Sequence, residues 1–202
     1  SLDRIAELTS ILGDPQHAYP VVHVAGTNGK TSTARIIESI LRESGLKTGP
    51  FTSPHLQDVR ERITIGGEMI TREAFLDAWA DIAPFVDAVD TRSVSEGGPR
   101  MTYFEVLVTV AYAAFADAPV DVAVVEVGMG GSWDATNVVE ADVAVDVVRG
   151  FTAAVARSAA TSADDSVRPP GRPSITLSAP NLPQRTVMSS SSAGCGGSGT
   201  RA

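Results

Sequence analysis

The feature that most constrains the fold is an apolar run that leads into a glycine-containing turn and then into an amphipathic segment. Val21–Ala25 has the composition of a buried strand. After the turn, apolar residues recur on one helical face from Thr31 to Ser44, and Gly45 fits the C-terminal cap of a helix. A strand, a glycine turn and a helix in this order predict an α/β unit in which the start of the helix faces the turn.

The chemistry of this turn suits a phosphate group. Gly26 and Gly29 allow the backbone to approach a ligand closely. The unpaired N–H groups at the helix start, together with the helix dipole, attract phosphate oxygens. Lys30 can reach the outer phosphates, and the Thr31 hydroxyl can ligate Mg²⁺. We therefore predict an ATP-binding loop formed by Gly26, Thr27, Asn28, Gly29, Lys30, Thr31 and Ser32.

This loop is a shortened variant, because the general phosphate-loop pattern has glycine where Val24 stands. The alternative is a glycine turn that caps a helix and carries an ordinary surface lysine. The position of the turn between a strand and a helix favours the phosphate-binding interpretation.

Strand and helix patterns alternate along the rest of the first 148 residues. Helical spacing covers 2–12, 72–90 (bent at Pro84) and 102–116, whereas 91–100 is a predicted loop. Extended runs cover 47–52, 121–127 and a strand from 142, and Gly66-Gly67 is typical of a hairpin turn within 62–71. The pattern predicts an α/β fold: a P-loop NTPase-like, mostly parallel sheet flanked by helices.

Composition limits the class of protein. A hydrophobic content of 43% is enough for a core, and no apolar run reaches the roughly 18 residues that span a membrane. The single cysteine, Cys195, excludes an internal disulfide framework. Residues 1–149 carry 11 basic and 22 acidic side chains, which argues against binding to nucleic acid. We expect a cytoplasmic monomer with neither nucleic-acid nor membrane partners.

The character of the sequence changes after residue 148. Residues 150–202 contain no Lys and no Glu, and Ser, Ala, Gly, Pro and Arg dominate. This composition predicts a disordered tail. The expected domains are therefore a truncated nucleotide-binding domain at 1–148 and a low-complexity tail at 149–202. An abrupt change inside a strand is what a frameshifted or truncated reading of a GC-rich gene would produce.

Five segments resemble the motifs of the folylpolyglutamate synthase/dihydrofolate synthase family, which belongs to the wider group of Mur-type ATP-dependent ligases. They occur in the family's order, and the resemblance runs from Leu2 to about Val145. TSPHL and GMGGSWDATN are the more specific segments, because the phosphate loop is shared with peptidoglycan ligases. The five segments are HVAGTNGKTS (23–32), TSPHL (52–56), ERI (61–63), TYFE (102–105) and EVGMGGSWDATN (126–137).

The resemblance implies an amide-forming ligase that uses ATP and Mg²⁺. A carboxylate of dihydropteroate or a folate becomes an acyl phosphate, which the amino group of glutamate then attacks. Lys30 and Glu126 are the implied catalytic residues, and Thr31, Ser53 and Glu126 the implied metal ligands. Two structural alternatives stay open: Glu126 as a carboxylate that only ends a strand, and Ser53 as a turn-forming hydroxyl, with Thr52 as a possible substitute ligand.

The resemblance also implies a set of substrate-binding residues and one further contact with the nucleotide, Asn137. An aromatic side chain such as Phe104 or Trp133 can stack on a pteridine ring, although core packing is an equally good role for each. The implied substrate residues are Thr102, Tyr103, Phe104, Glu105, Trp133, Asp134 and Ala135.

Three departures from the family pattern matter. Ser132 stands where the family has Arg. No Lys follows Lys47 and no His follows His55, so the family's second metal-binding His and Lys are missing. The domain that binds glutamate is missing as well. We therefore expect this chain alone to be inactive. Two other functions stay open: a Mur-type peptidoglycan-precursor ligase and a non-catalytic nucleotide-binding remnant.

Overall fold

The computed structural model describes residues 2–148 and, as backbone, 151–156. Four parallel strands form the centre of the sheet: β1 (Val21–Gly26), β2 (Thr48–Phe51), β5 (Val122–Glu126) and β6 (Val143–Val148). A fifth strand, β7 (Phe151–Ala156), pairs antiparallel with β6. The strand order is β2-β5-β1-β6-β7. The predicted α/β fold with a mostly parallel sheet is therefore confirmed.

Helices cover both faces of this sheet. Four α-helices are present in the described residues: α1 (Asp3–Ile11), α2 (Lys30–Glu43), α3 (Arg72–Ser95) and α4 (Tyr103–Asp117). Side chains of α1, α3 and α4 pack with Val21, Ala123 and Val125 in the larger core cluster. On the other face, Ala34 of α2 packs with Val24, Val124 and Val145. Alternation of strand side chains between the two faces thus produces the layered architecture.

Two predicted boundaries differ from the structure. The hairpin strands are short, β3 (Thr64–Ile65) and β4 (Glu68–Met69), and Arg62, the predicted start of the hairpin, belongs to the 3₁₀ turn Val59–Arg62. Helix α3 continues through 91–95, part of the predicted loop, and Pro84 lies inside it. The extension is stabilised from outside the segment, because Arg92 pairs with Glu7 of α1.

Strand β7 lies within the segment 149–202 and pairs with β6 from Val143↔Ala156 to Val148↔Phe151. The rest of the proposed tail lies outside the described residues and stays a prediction. Within the described part of the chain, no helix is long and apolar enough to cross a membrane.

Candidate functional site

The carboxyl ends of three adjacent parallel strands bring the predicted phosphate-loop and metal residues together. Strand β1 leads into the turn 26–29, and α2 begins at Lys30. Glu126 is the last residue of β5, the neighbour of β1. Ser53 lies two residues beyond β2, the strand on the other side of β5. Parallel strands present ligand-binding groups at this edge.

The contacts at this edge centre on Glu126, which is only 2% exposed. The Thr31 hydroxyl donates to its carboxylate, at 2.8 Å from Oε1 and 3.0 Å from Oε2. The backbone N–H of Ser53 donates to Oε2 at 3.0 Å. The Ser53 carbonyl oxygen lies 3.4 Å from Thr31 Oγ1. These three residues, predicted from separate segments, therefore share one cluster of oxygens.

The residues of this cluster fit a Mg²⁺ ion by their chemistry. Mg²⁺ prefers oxygen ligands and is commonly held by one or two carboxylates together with substrate phosphates. A carboxylate, a hydroxyl and a carbonyl oxygen meet here beside the phosphate loop. The described residues contain no group of three or more His, Cys, Asp or Glu side chains that could hold a metal ion, here or elsewhere, so an ion at this cluster would depend on one carboxylate together with phosphate oxygens.

The phosphate loop depends on two glycines. Gly29 caps α2 in the left-handed region, with φ of 81°. Gly26 has φ of 137°, and a Cβ there would overlap the carbonyl group of Val147 in β6. Lys30 Nζ donates to the Gly26 carbonyl at 3.0 Å, which keeps its ammonium group over the loop. The turn is thus closed against β6 and carries its cation at the helix start.

The segment that carries Ser53 is fixed by hydrogen bonds to the carboxylate of Glu61. Glu61 accepts hydrogen bonds from the backbone N–H groups of Leu56, Gln57 and Asp58, at 2.8 to 2.9 Å. These hydrogen bonds lower the pKa of Glu61, and the bond from the Leu56 N–H has the largest effect. His55 accepts from Arg62 Nε at 2.8 Å through Nδ1. His55 therefore has a structural partner within its own segment.

A second glycine turn, 128–131, is organised by Asp134, which is 6% exposed. Asp134 Oδ2 accepts the N–H groups of Met129 and Gly130, at 2.8 and 3.0 Å. Burial acts to raise the pKa of Asp134, but hydrogen bonds from Gly130 and Thr136 outweigh it and hold the pKa below its usual value. The structure thus shows Asp134 shaping its own loop; contact with substrate stays a prediction.

The neighbours of Asp134 have different environments. Trp133 is 66% exposed, so its ring is open to a ligand rather than packed in the core. Ala135 is buried in the larger core cluster. Asn137 donates through Nδ2 to the Gly131 carbonyl at 2.8 Å and borders a cleft beside the phosphate loop.

The predicted substrate segment 102–105 forms the start of α4. Thr102 and Glu105 make a reciprocal capping box, and Arg4 of α1 donates to both oxygens of Glu105 at 3.0 and 3.2 Å. Phe104 packs against Phe51, with ring centroids 6.0 Å apart, and a Cβ on Gly128 would lie 2.5 Å from its ring. Tyr103 is exposed. Core packing thus accounts for Phe104, and a fixed cap for Thr102 and Glu105.

Sequence reasoning assigned no role to His23 beyond the loop motif, yet its imidazole lines the cleft. The cleft has a volume of about 620 Å³ and is bordered by Gly26, Thr27, Met129, Asn137 and Asp146. His23 Nε2 lies 2.9 Å from Thr136 Oγ1, 113 residues away in the sequence. The available signal was a polar residue inside an otherwise apolar strand.

The fold and this loop define an α/β protein of the phosphate-loop type. No protein-family model matches the chain. The dihydrofolate synthase/folylpolyglutamate synthase of Mycobacterium tuberculosis is 53% identical over 148 residues, which are 72% of this chain and 30% of that protein. The chain belongs to the folylpolyglutamate synthase/dihydrofolate synthase family, as the motifs predicted.

The solved structures that the chain resembles are also folylpolyglutamate synthases. A folylpolyglutamate synthase of Mycobacterium tuberculosis, complexed with ADP and AMPPCP, superposes with a TM-score of 0.70 at 53% identity, covering 72% of this chain and 33% of that one. An FPGS–AMPPCP–folate complex gives a TM-score of 0.66 at 38% identity, covering 73% and 35%. The chain thus spans about a third of the length of the proteins it matches.

Proposed function

We propose that this chain is the ATP- and Mg²⁺-binding part of a ligase that joins L-glutamate to dihydropteroate or a folate. The observation that carries the proposal is the cluster of Thr31, Glu126 and Ser53 beside a glycine loop with Lys30 at its end. The relatives' names describe this activity, and one solved relative was complexed with ADP and AMPPCP.

In this proposal the loop N–H groups and Lys30 bind the outer phosphates of ATP. Thr31, Ser53 and Glu126 are the residues that would hold Mg²⁺, and the ion would supply positive charge beside the phosphates. The substrate carboxylate attacks the γ-phosphorus, ADP departs, and an acyl phosphate forms. The glutamate amine then attacks the acyl carbon, releasing phosphate and a proton. Loop and helix dipoles stabilise charge that develops during transfer.

The pteroyl group is proposed to bind between the start of α4 and the 128–137 loop. One solved relative is an FPGS–AMPPCP–folate complex, which supports a folate-type substrate. Trp133 is the exposed aromatic that can stack on a ring, and Asn137 is proposed to contact the nucleotide. Thr102, Tyr103, Phe104, Glu105, Asp134 and Ala135 are proposed to line or shape the substrate side.

We further propose that the chain by itself is a cytoplasmic monomer that binds nucleotide but does not catalyse the ligation of glutamate. It spans about a third of its relatives, and oriented binding in one closed site can supply roughly 7–11 kcal/mol of catalysis. Residues 1–202, assayed alone, would provide only part of such a closed site.

Two measurements test this function. Calorimetry with Mg·ATP should show saturable binding, and mass spectrometry after incubation with dihydropteroate, glutamate and Mg·ATP should show no dihydrofolate above background. A peptidoglycan precursor in place of dihydropteroate is the matched control. Absence of nucleotide binding would contradict the ATP-site assignment, and turnover close to that of a full-length relative would contradict the inactivity.

A further inference from the structure

The hydrogen bonds around His23 fix its tautomer. Thr136 Oγ1 donates its single hydrogen to Asp134 Oδ1 at 2.7 Å. His23 Nε2 lies 2.9 Å from the same Oγ1. Since a hydroxyl has one hydrogen to give, Nε2–H of His23 must be the donor in that contact. A neutral imidazole then carries no hydrogen on Nδ1, which is left as an acceptor.

The second ring nitrogen has no partner within the described part of the chain. His23 makes one side-chain hydrogen bond, through Nε2, and Nδ1 is not among the fully buried atoms that lack a partner. The imidazole borders the cleft between the turn 26–29 and the turn 128–131. An accessible acceptor therefore lies on the cleft wall, in the strand that leads into the phosphate loop at Gly26.

The surroundings keep this acceptor neutral. Burial lowers the pKa of His23, and the negative charge of Asp134 opposes that shift only in part. Asp134 faces the ring from the loop after β5, through Thr136. Asp146 of β6 borders the same cleft. Near neutral pH the imidazole is uncharged, so it offers Nδ1 rather than a second N–H.

We propose that His23 is a specificity-determining residue that accepts, through Nδ1, a hydrogen bond from an N–H or O–H group of the ligand in this cleft. The inference rests on the proposed function, which places ATP and a pteroyl substrate beside it. Both ligands carry such donors: amino and hydroxyl groups on the nucleoside, and amine N–H groups on the pteroyl moiety. The Thr136 contact orients the ring for this role.

Two substitutions at His23 distinguish the roles of the two ring nitrogens. The amide of His23→Gln reaches the position of Nε2 and keeps a donor for Thr136, but leaves nothing at Nδ1. The amide of His23→Asn occupies the position of Nδ1 and gives up Thr136. His17→Gln, on the 3₁₀ turn 15–17, is the matched control. Binding of Mg·ATP alone and of dihydropteroate alone is measured by calorimetry on the full chain, with thermal unfolding of each variant.

We expect His23→Gln to weaken one of the two ligands about 3- to 10-fold, the range for one neutral hydrogen bond. The ligand whose affinity falls is the one that donates the hydrogen bond to Nδ1. His23→Asn and His17→Gln should stay within about twofold of the parent. Unchanged affinity of His23→Gln for both ligands, or a loss confined to His23→Asn, overturns the inference. If the parent binds neither ligand, the proposed function fails instead.

A second measurement needs no ligand. The chain has three histidines, so the ring nitrogen signals in a ¹⁵N NMR spectrum can be assigned by substituting each in turn. We expect a protonated Nε2 and an unprotonated Nδ1 for His23 at pH 7.5. A proton on Nδ1 in the free protein would contradict the inference whatever the calorimetry shows.

Discussion

The hydroxyl of Thr31, in the first turn of α2, lies 2.8 Å from Oε1 and 3.0 Å from Oε2 of Glu126, at the end of β5. The two residues are 95 positions apart in the sequence. The contact joins the start of the helix that follows the phosphate loop to a buried carboxylate. A hard cation bound to both the hydroxyl oxygen and the carboxylate would take the place of this hydrogen bond.

Glu126→Gln should weaken the dependence of nucleotide binding on Mg²⁺. Gln keeps the size and one oxygen but removes the charge that attracts a hard cation. The apparent affinity for Mg²⁺ should fall by about tenfold or more, measured as a Mg²⁺ titration at fixed ATP. Glu68→Gln, an exposed change in β4, is the control. Equal titrations for parent and Glu126→Gln would leave Glu126 with a structural role only.

Lys30→Ala should strongly weaken the binding of Mg·ATP. The ammonium group lies 3.0 Å from the Gly26 carbonyl, over the loop, and charge-assisted hydrogen bonds to phosphate are among the strong ones. The loss should be about tenfold to 100-fold by calorimetry. Lys47→Ala is a well-matched control, because Lys47 is the only other lysine and contacts Ala118 instead. Equal losses in both variants would contradict a specific role for Lys30.

The stability of the fold should fall in two steps as the pH is lowered. The pKa of His23 is below 6.5 in the folded chain, so protonation favours the unfolded state and stability declines as the pH drops below about 6.5. The pKa of Asp134 is also lowered, so its contribution is present above 3.8 and is lost as the pH falls through its folded value.

Urea unfolding at pH 7.5, 5.5 and 3.5 measures both steps. His23→Gln should flatten the change between pH 7.5 and 5.5, because it removes the buried titrating ring. Asp134→Asn should flatten the change at lower pH and lower stability at pH 7.5, since it removes the acceptor of Met129 and Gly130 N–H. A slope between pH 7.5 and 5.5 that is the same in parent and His23→Gln would contradict the first assignment.

Gly26→Ala should destabilise the fold more than an ordinary glycine substitution. The new Cβ would overlap the backbone of Val147, and φ of 137° is strained for alanine. We expect a loss of about 3 kcal/mol or more in the free energy of unfolding. Gly45 also has a positive φ, of 88°, but a Cβ there would meet no atom within 4 Å, so Gly45→Ala should lose only about 1 kcal/mol. Equal losses would show that β6 does not pack against the loop.

The sequence predicted the elements that depend on local pattern. The apolar run of β1, the turn at Gly26–Lys30 and the helical spacing of α2 all follow from residues within one segment. Helix α3 was predicted too short because 91–95 has weak helical preference and a glycine pair follows it. Within the extension Arg92 pairs with Glu7 of another helix, a contact that no local pattern shows.

The same distinction holds at the site. Membership of Thr31, Ser53 and Glu126 in one cluster was predictable, because each lies at or just beyond the carboxyl end of a strand in a parallel sheet, and such ends meet at one edge. The pairing of His23 with Thr136 was not, because it depends on where the loop after β5 folds back over β1. Asp134 was predicted as a substrate residue, and its hydrogen bonds to its own loop emerge only from the folded backbone.

The alignment of β1 with β5 also determines which changes in length the chain tolerates. Val24 lies opposite Glu126 in the parallel pairing. Deleting one residue from β5 would turn the Glu126 carboxylate to the other face of the sheet, and deleting two would displace it by about 6.6 Å, beyond reach of the Thr31 hydroxyl. The loop at 97–101 has no such constraint. Insertions and deletions that preserve nucleotide binding should therefore occur in loops of this kind and not within the two strands that align the site.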